Sequence, residues 1–351
     1  MSFSKKILHW YSENKRSLPW RETTDPYKIW LSEIILQQTR VAQGTPYYLK
    51  FVEEFPTVYD LADAEEETVL KLWQGLGYYS RARNLHFTAK TIVEEYDGYF
   101  PDTYEELIKL KGVGDYTASA IASISYQKPE PVVDGNVYRV LSRYFGIDIP
   151  INGSEGISYF KKLARKVLNS EQIRDYNQGI MEFGAIQCAP KKPLCLSCPL
   201  NQTCVALQTN SVDKYPVKLK KTKIRKRFFN YLVVVDKEGN LSLTKRSAKD
   251  IWQHLYEFPL LETSNEVGIT EIKQQIPGIL TLEEPHHIYE SSDKMVVHKL
   301  SHQHLYTKFW IVKTSNRLKS GMSPADLEKY PVPVLIAEFI KTLKNSYFWD
   351  N

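Results

Sequence analysis

The chain has 351 residues, which is long for one compact domain and predicts two, and its 42% hydrophobic and 25% charged residues exclude extensive disorder. The formal net charge of +5 is mildly basic, which is compatible with a nucleic-acid partner but does not indicate one. Because the sequence has neither a run of about eighteen apolar residues nor the apolar core of a signal peptide, we expect a soluble cytoplasmic protein without a membrane span.

Up to about residue 210, the sequence predicts short amphipathic helices that are separated by turn residues such as Gly75 and Pro101. The expected helices lie at roughly 3–14, 27–41, 44–54, 66–73, 80–96, 104–110, 115–126, 136–145, 156–168 and 172–184. This part of the chain is therefore predicted to be all-α.

Glu33 lies in the middle of the second predicted helix, 27–41, which is apolar nearly all round and is therefore expected to be buried. Burial raises the pKa of a carboxyl group, and a carboxylic acid that stays protonated near neutral pH can donate a proton to a leaving group. Glu33 is thus a candidate general acid. The alternatives are a glutamate paired with an arginine or one exposed on a polar stripe.

The string GVGDYTA, which starts at Gly112, follows one predicted helix and opens the next. Its two glycines, Gly112 and Gly114, allow a tight turn and a close backbone approach around Val113. The free N–H groups at the start of the following helix suit a phosphate oxygen, so this turn could hold a nucleic-acid backbone without reading sequence. A lone Gly-Val-Gly also joins many ordinary helix pairs.

Asp134 directly precedes the predicted helix 136–145. Its simplest role is that of an N-cap, and the helix N–H groups would then keep the carboxylate ionised. An ionised aspartate beside a protonated glutamate is the pair that glycosidic cleavage through an oxocarbenium-like transition state requires. Asp134 is therefore the candidate partner of Glu33.

All four cysteines lie in one short stretch with the spacing C-x6-C-x2-C-x5-C, which favours a metal or cluster site over a disulfide framework. Four thiolates can wrap one tetrahedral ion or one cubane iron–sulfur cluster, and the spacing alone leaves zinc open. A third alternative is four unrelated buried thiols. The candidate ligands are Cys188, Cys195, Cys198 and Cys204.

The segment 214–227 contains eight Lys or Arg side chains and no acidic residue. We interpret it as an interdomain linker between a domain at 1–213 and one at 228–351. Such a segment could lie along a phosphate backbone or could be a solvated connector.

Beyond this segment the periodicity becomes strand-like. Two hairpins and a closing helix are expected, with strands at 228–235 and 241–245, strands at 295–300 and 305–312, and a helix at 333–346. The C-terminal part is therefore predicted to be a small α+β domain.

Several strings occur together in one order: LSEIILQQT, GLGYYSRARNL, GVGDYTA, VDGNVYRV and the four cysteines. They resemble the MutY-type adenine DNA glycosylases of the helix-hairpin-helix, endonuclease III superfamily over residues 5–210, and the resemblance continues more loosely through IWQHLYEFP and LSHQHL. It implies an N-terminal all-α helix-hairpin-helix glycosylase fold with a [4Fe–4S] cluster loop at 188–204, followed by a C-terminal α+β Nudix-like domain.

The resemblance also implies an activity. A monomeric enzyme of this kind would remove adenine mispaired with 8-oxoguanine or guanine in double-stranded DNA and so initiate base excision repair. Glu33 would protonate N7 of the flipped adenine, and Asp134 would stabilise the oxocarbenium ion at C1′. Tyr116 and Asn136 would support that site. The base must leave the stack because its reactive atoms are otherwise buried.

Further residues would contact the DNA if the resemblance holds. Gln38 and Tyr78 would probe the helix beside the 8-oxoguanine, with Tyr78 wedging into the stack. The oxidised base itself would be recognised by Leu300, Ser301 and His302. The family commonly has Phe at the first of these three positions, so Leu300 predicts a softer mismatch preference, while the other two keep their hydrogen-bonding groups.

Three rival functions make different demands on the sequence. An endonuclease III-like glycosylase-lyase needs a lysine two residues after the second hairpin glycine, where this chain has Tyr116. A non-catalytic damage-binding protein would have replaced Glu33 or Asp134, and both are present. A Nudix hydrolase needs an R-E-x-x-E-E string, which the sequence lacks. We therefore expect a monofunctional glycosylase.

Overall fold

The computed structural model describes residues 2–219, 224–280, 285–292 and 294–345. Internal contacts divide the chain into two compact units, each made of two segments. The first unit comprises Met1–Asp63 and Asn84–Lys220, and the second comprises Ala64–Arg83 and Lys221–Asn351. The short segment 64–83 thus groups with the C-terminal part of the chain, although it is distant in sequence.

Helices account for the regular structure of the chain up to residue 219. Their bounds are α1 Phe3–Asn14, α2 Pro26–Leu36, α3 Val41–Glu54, α4 Val58–Asp63, α5 Glu66–Leu72, α6 Ser80–Tyr96, α7 Tyr104–Leu107, α8 Asp115–Ile124, α9 Gly135–Phe145, α10 Ser154–Lys166, α11 Ile173–Ile186 and α12 Val205–Gln208. The expected helices are all present, whereas the short α4 and α12 were not expected. Among the described residues, no helix is long and apolar enough to cross a membrane.

The ends of α2 and α9 follow from their capping residues. Asp25 accepts a hydrogen bond from the Tyr27 amide, and Pro26 occupies the first helical position. Helix α2 ends at Leu36, earlier than expected, and the exposed Gln38 then takes a left-handed backbone conformation with φ of 55°. Helix α9 ends at Phe145 and is followed by the C-cap Gly146, whose φ of 68° suits a residue without a side chain.

The core of the first unit forms around α2, α8 and α11. Helix α2 packs against α3 and α8, while α11 packs against α1, α8 and α9. Nearly every side chain of α2 is buried, including Ile29, Trp30 and Leu31, so this helix lies inside the bundle. Glu33, in the C-terminal half of this helix, is thereby held in the interior.

The second unit contains a mixed sheet with helices. Its elements, besides α5, are β1 Arg225–Val235, β2 Thr244–Lys245, β3 Tyr256–Glu257, β4 Leu260–Thr263, α13 Ile269–Gln275, β5 Pro285–Glu290, β6 Val296–Lys299, β7 Gln303–Thr314 and α14 Val334–Asn345. The order in the sheet is β4-β1-β7-β5, and β6 pairs with β7. Strands β1 and β7 run parallel, with Arg225 beside Gln303 and Val235 beside Lys313.

One expected hairpin of this unit is wrong, and the other is confirmed. Strand β2 pairs with β3, and only a single bridge, between Val235 and Leu241, joins the residues that follow β1 to that strand. The two edges of β1 are occupied by β4 and β7, which are distant in sequence, so a local pattern could not reveal the pairing. The second hairpin, β6 with β7, and the closing helix α14 are as expected.

The basic segment 214–227 is only partly a linker. Residues 220–223 lie outside the described residues. Strand β1 already begins at Arg225, and Arg227 is buried beside Glu262 and Asp250, with N–O distances of 2.6 and 2.7 Å. Assigning Arg227 to the linker was therefore wrong, because its charge is neutralised inside the second unit and is not presented to a phosphate.

Candidate active site

Glu33 lies inside the first unit and bonds to a tyrosine. Its side chain is only 8% exposed, and the Tyr116 hydroxyl donates a hydrogen bond to Glu33 Oε2 at 2.6 Å. The same hydroxyl lies 3.2 Å from Met181 Sδ. The sequence reasoning thus located a buried carboxyl group, and the structure brings it together with Tyr116.

The environment of Glu33 favours its protonated form. The pKa of Glu33 is raised to about 7, with burial as the largest influence and the nearby charge of Asp134 acting in the same direction. The hydrogen bond from Tyr116 and the charge of Arg21 act in the opposite direction. A carboxyl group with a pKa near 7 is suited to give and take protons at neutral pH.

Asp134 caps helix α9. Its Oδ1 accepts hydrogen bonds from the amides of Asn136 at 2.9 Å and Val137 at 2.8 Å, and its Oδ2 accepts one from Asn136 Nδ2 at 2.7 Å. The pKa of Asp134 is raised above its usual value, because burial outweighs the lowering influence of these donors and of the charge of Arg139. The two carboxyl groups therefore differ in their hydrogen-bond donors: Glu33 receives one hydroxyl donor, and Asp134 receives three N–H donors.

Arg139 is a site residue that the sequence reasoning missed. It donates to Asn136 Oδ1 at 2.8 Å and to the Gly184 carbonyl at 2.6 Å, so it fixes the amide that binds Asp134. Gly184 has no room for a side chain, since a Cβ there would lie 2.6 Å from that of Asn136. The available signal was an arginine one helical turn after Gly135, on a helix that begins at the candidate carboxylate.

A second missed feature is a buried ion cluster next to this site. Glu182 is 1% exposed and accepts hydrogen bonds from Arg16 Nε and Arg21 Nη2, each at 2.7 Å. Although burial disfavours its charge, the two arginines hold the pKa of Glu182 at about 2. The charge of Arg21 also reaches Glu33. Glu182 is more than 160 positions away from both arginines, so no local pattern joins it to them.

The hairpin turn between α7 and α8 consists of two exposed glycines around a buried valine. Gly112 has a φ of +80°, and a Cβ there would lie 2.7 Å from Asn84 Cβ. Val113 is buried, while Gly112 and Gly114 are exposed. Gly114 is the N-cap of α8 and leaves the amides of the first helical turn without a side-chain cap. These amides are positioned for an anionic oxygen.

The four cysteines line one small cavity of about 30 Å³ in the first unit. Arg143 Nη1 and the Leu200 amide approach the sulfurs of Cys188 and Cys198, each at 3.4 Å. Burial raises the pKa of Cys198 to about 11, so its thiolate needs cationic partners. Within the described ranges, no group of three His, Cys, Asp or Glu residues is arranged to hold a metal ion. The fit to an iron–sulfur cluster rests on the shared cavity, the thiol donors and the N–H groups beside them.

The second unit brings together four of the expected DNA-contacting residues. The Tyr78 hydroxyl hydrogen-bonds with the Ser301 hydroxyl, and Tyr78 remains 41% exposed. A cavity of about 310 Å³ lies between the loop that carries Tyr78 and the turn that carries Leu300, Ser301 and His302. Trp252 also lines this cavity. Gln38 belongs to the other unit.

Comparisons with known proteins agree with this architecture. Residues 31–166 match the family described as HhH-GPD superfamily base excision DNA repair protein, and residues 230–342 match the NUDIX domain. The adenine DNA glycosylase of Buchnera aphidicola subsp. Acyrthosiphon pisum is 37% identical over 84% of both chains. That of Buchnera aphidicola subsp. Baizongia pistaciae is 36% identical over 88% of this chain and 86% of the other.

Solved structures match the helical part. A thermostable thymine-DNA glycosylase, 31% identical, aligns with a TM-score of 0.55 over 59% of this chain and 95% of its own. A non-covalent endonuclease III–DNA complex, 23% identical, aligns with a TM-score of 0.51 over 60% of this chain and 99% of its own, and shows the fold alone. The predicted fold class is confirmed by these matches. The chain belongs to the adenine DNA glycosylase family, within the helix-hairpin-helix superfamily of base excision DNA repair proteins.

Proposed function

We propose that this chain hydrolyses the N-glycosidic bond of adenine that is mispaired with 8-oxoguanine or guanine in duplex DNA, and that it does so without lyase activity. Membership of the adenine DNA glycosylase family supports the base and the bond. The observation that carries the chemistry is the buried Glu33, which is hydrogen-bonded to Tyr116 and electrostatically coupled to Asp134.

Glu33 is the general acid of this proposal. Adenine leaves poorly as an anion, and protonation at N7 lets it leave as a neutral base. Because the pKa of Glu33 is raised to about 7, a large fraction of Glu33 carries the proton at neutral pH. The flipped base must reach this residue in the interior, which is consistent with base extrusion from the duplex.

Asp134 is the counter-charge for the sugar. As the C1′–N9 bond breaks, positive charge develops on the deoxyribose ring, and a fixed carboxylate lowers the energy of that state. Asn136 and the first amides of α9 hold the Asp134 carboxylate in place, and Arg139 fixes Asn136 in turn. Hydrolysis is completed when a water oxygen bonds to C1′ and the proton that the water loses goes to the Glu33 carboxylate, which restores the acid.

The absence of lyase chemistry follows from the residue at the hairpin. A lyase uses a lysine amine to attack C1′ and form a Schiff base. The corresponding position here is Tyr116, whose hydroxyl is bonded to Glu33. Lys111 lies on the other side of the hairpin, with its amine 4.0 Å from the centre of the Phe87 ring.

Recognition of the opposite base is assigned to the second unit. Ser301 and His302 are exposed and offer hydrogen-bonding groups beside the cavity that Tyr78 also lines. The hydrogen bond between the hydroxyls of Tyr78 and Ser301 supports a shared role for the two residues. We infer that Ser301 and His302 contact the oxidised base while Tyr78 inserts into the base stack beside it.

The four cysteines would hold the [4Fe–4S] cluster. When bound, the cluster supplies iron–thiolate bonds that fix the loop between Cys188 and Cys204. Lys191 and Lys192 are exposed on this loop. The residues of the chain thus combine a phosphate-binding hairpin with a basic loop, as duplex DNA requires.

The proposal is tested by base release under single-turnover conditions. Duplexes carry adenine opposite 8-oxoguanine, guanine, cytosine or thymine, and alkali reveals the abasic sites. We expect release opposite the first two bases and strand breaks mainly after alkali. Equal release from all four duplexes would contradict the mismatch specificity. Efficient borohydride trapping of a protein–DNA adduct would contradict the absence of lyase activity.

A further inference from the structure

The loop between α5 and α6 holds Tyr78 in an unusual backbone conformation. Gly75, Gly77 and Tyr78 have φ values of 105°, 73° and 48°. Glycine adopts such values freely, whereas a tyrosine in the left-handed region is disfavoured by the clash of its Cβ with the backbone. Such residues persist when the surrounding structure enforces them, and they concentrate at functional sites.

Arg81 makes the contacts that enforce this conformation. Its Nη2 donates to the Gly77 carbonyl at 3.2 Å and to the Leu76 carbonyl at 3.4 Å, so it ties down the peptides directly before Tyr78. The centre of its guanidinium lies 5.8 Å from the centre of the Tyr78 ring and 5.0 Å from that of Trp73. The Arg81 side chain therefore contacts both the backbone before Tyr78 and the Tyr78 ring.

Trp73 completes this arrangement from the end of α5. Its indole Nε1 donates to the Gly77 carbonyl at 3.0 Å, so that carbonyl receives bonds from two side chains. Trp73 is fully buried and gives Arg81 a fixed aromatic surface to stack on. Tyr78 in contrast is partly exposed, and its hydroxyl hydrogen-bonds with that of Ser301. The loop is thus held at the Gly77 carbonyl by Trp73 and Arg81, while the Tyr78 side chain is accessible to solvent.

We propose that Arg81 is a positioning residue that holds Tyr78 ready for insertion beside the oxidised base. The inference rests on the proposed role of Tyr78 as the wedge. Arg81 acts through the left-handed backbone at Gly77 and Tyr78, so that the ring does not have to be ordered when DNA binds. Preorganisation of this kind raises affinity and rate because the cost of ordering is met in the free protein.

The chemistry of the site explains why the residue is an arginine. A planar guanidinium can donate to two neighbouring carbonyls while it stacks on an aromatic ring, whereas a lysine amine cannot do both in one geometry. Although burial lowers the pKa of Arg81 to about 10, the group remains charged at neutral pH. Arg81→Met keeps an unbranched side chain and removes the donors.

A double-mutant cycle tests the proposal. Tyr78→Ala, Arg81→Met and the double variant are compared for single-turnover adenine release opposite 8-oxoguanine at saturating protein. We expect Arg81→Met to lower the rate roughly tenfold or more and to cause little further loss when Tyr78 is already alanine. Arg81→Lys should recover only part of the rate. Arg165→Met, which removes a surface arginine paired with Glu130, controls for the loss of charge.

A spectroscopic readout separates positioning from a general loss of structure. A fluorescent 2-aminopurine next to the 8-oxoguanine brightens when it is unstacked, so the wild-type protein should raise its emission and Arg81→Met should not, at equal thermal unfolding midpoints. If Tyr78→Ala alone leaves rate and emission unchanged, the proposed wedge role itself fails. If Tyr78→Ala is impaired and the effect of Arg81→Met simply adds to it, the wedge role stands and the inference about Arg81 is overturned.

Discussion

The Tyr116 hydroxyl donates a 2.6 Å hydrogen bond to Glu33 Oε2, and this bond lowers the pKa of the carboxyl group, whereas burial raises it. Burial favours the neutral acid, whereas a hydroxyl donor favours the carboxylate. The pKa of about 7 for Glu33 is the balance of these influences together with the charges of Asp134 and Arg21. Near neutral pH, Glu33 can therefore both hold a proton and release it.

The pH dependence of the wild-type protein follows from this balance. In the proposed mechanism the active form has Glu33 protonated, and this form predominates below the Glu33 pKa of about 7. The single-turnover rate of adenine release should therefore fall as the pH rises above about 7, with an apparent pKa near that value. A rate that stays constant from pH 6 to pH 9 would show that Glu33 is not the proton donor. Measuring DNA binding over the same range separates loss of chemistry from loss of affinity.

Replacing Tyr116 by Phe should shift that profile. Because the hydroxyl lowers the pKa of Glu33, its removal should raise this pKa further and move the falling limb of the profile to higher pH. The acid would then be weaker, so we expect a lower maximal rate as well. Tyr126→Phe removes a hydroxyl that bonds to the Phe100 carbonyl and serves as the matched control. A shift of the limb to lower pH would contradict this role of Tyr116.

Much of this site is accessible from local sequence patterns. The helices near Glu33 and Asp134 are marked by capping residues and apolar periodicity within one segment, so the sequence alone places both carboxyl groups on their elements. Their proximity was an expectation from family resemblance. The structure shows them coupled to each other, and it adds the hydroxyl of Tyr116 as a direct partner of Glu33.

The features that the sequence did not reveal depend on distant parts of the chain. Glu182 meets Arg16 and Arg21 across more than 160 positions, and no pattern within a helix encodes that meeting. The parallel pairing of β1 with β7, which places Arg225 beside Gln303, likewise joins strands that are distant in sequence. Apolar alternation identifies a strand but does not name its neighbour, which explains why the hairpin expected after β1 was wrong.

The cysteine loop predicts an iron content. Anaerobically purified protein should be brown and should contain about four iron atoms per chain, as a [4Fe–4S] cluster requires. Cys198→Ser should lower the iron content and the yield of folded protein, whereas Ser197→Ala, an exposed position in the same loop, should not. Stoichiometric zinc with little iron would overturn the cluster assignment. Iron-free protein of normal stability would do the same.

Substitutions at Ser301 and His302 should change the preference for the base opposite adenine and not the chemistry of adenine release. Replacing both residues by Ala removes their hydrogen-bonding groups and should weaken the preference for 8-oxoguanine over guanine opposite adenine. Each lost bond should reduce discrimination by about 1 kcal/mol. The rates for the two duplexes are compared as a ratio, so that a general loss of activity cancels. An unchanged ratio would place recognition at other residues, such as Gln38 or Tyr78.

Glu33→Gln should abolish adenine release and leave DNA binding intact. The amide keeps the shape of the side chain and can still accept the Tyr116 hydrogen bond, but it cannot supply a proton. A positioned general acid contributes about 100- to 10,000-fold, so the single-turnover rate should fall by that factor while mismatch affinity stays near the wild-type value. Glu53→Gln, an exposed position on α3, is the matched control. A near wild-type rate would mean that water or another group delivers the proton.

The same variant makes a prediction about stability. Because the pKa of Glu33 is raised from 4.5 to about 7 in the folded protein, the folded state holds an extra proton between these values. Wild-type stability should therefore fall as the pH rises from about 4.5 to about 7 and then level off, by at most roughly 3 kcal/mol for this group. Glutamine has no charge to bury. The free energy of unfolding of Glu33→Gln minus that of wild type should therefore be larger at pH 8 than at pH 5. Equal differences in the free energy of unfolding at both pH values would show that the Glu33 carboxylate is not penalised by burial, and the general-acid role would lose its physical basis.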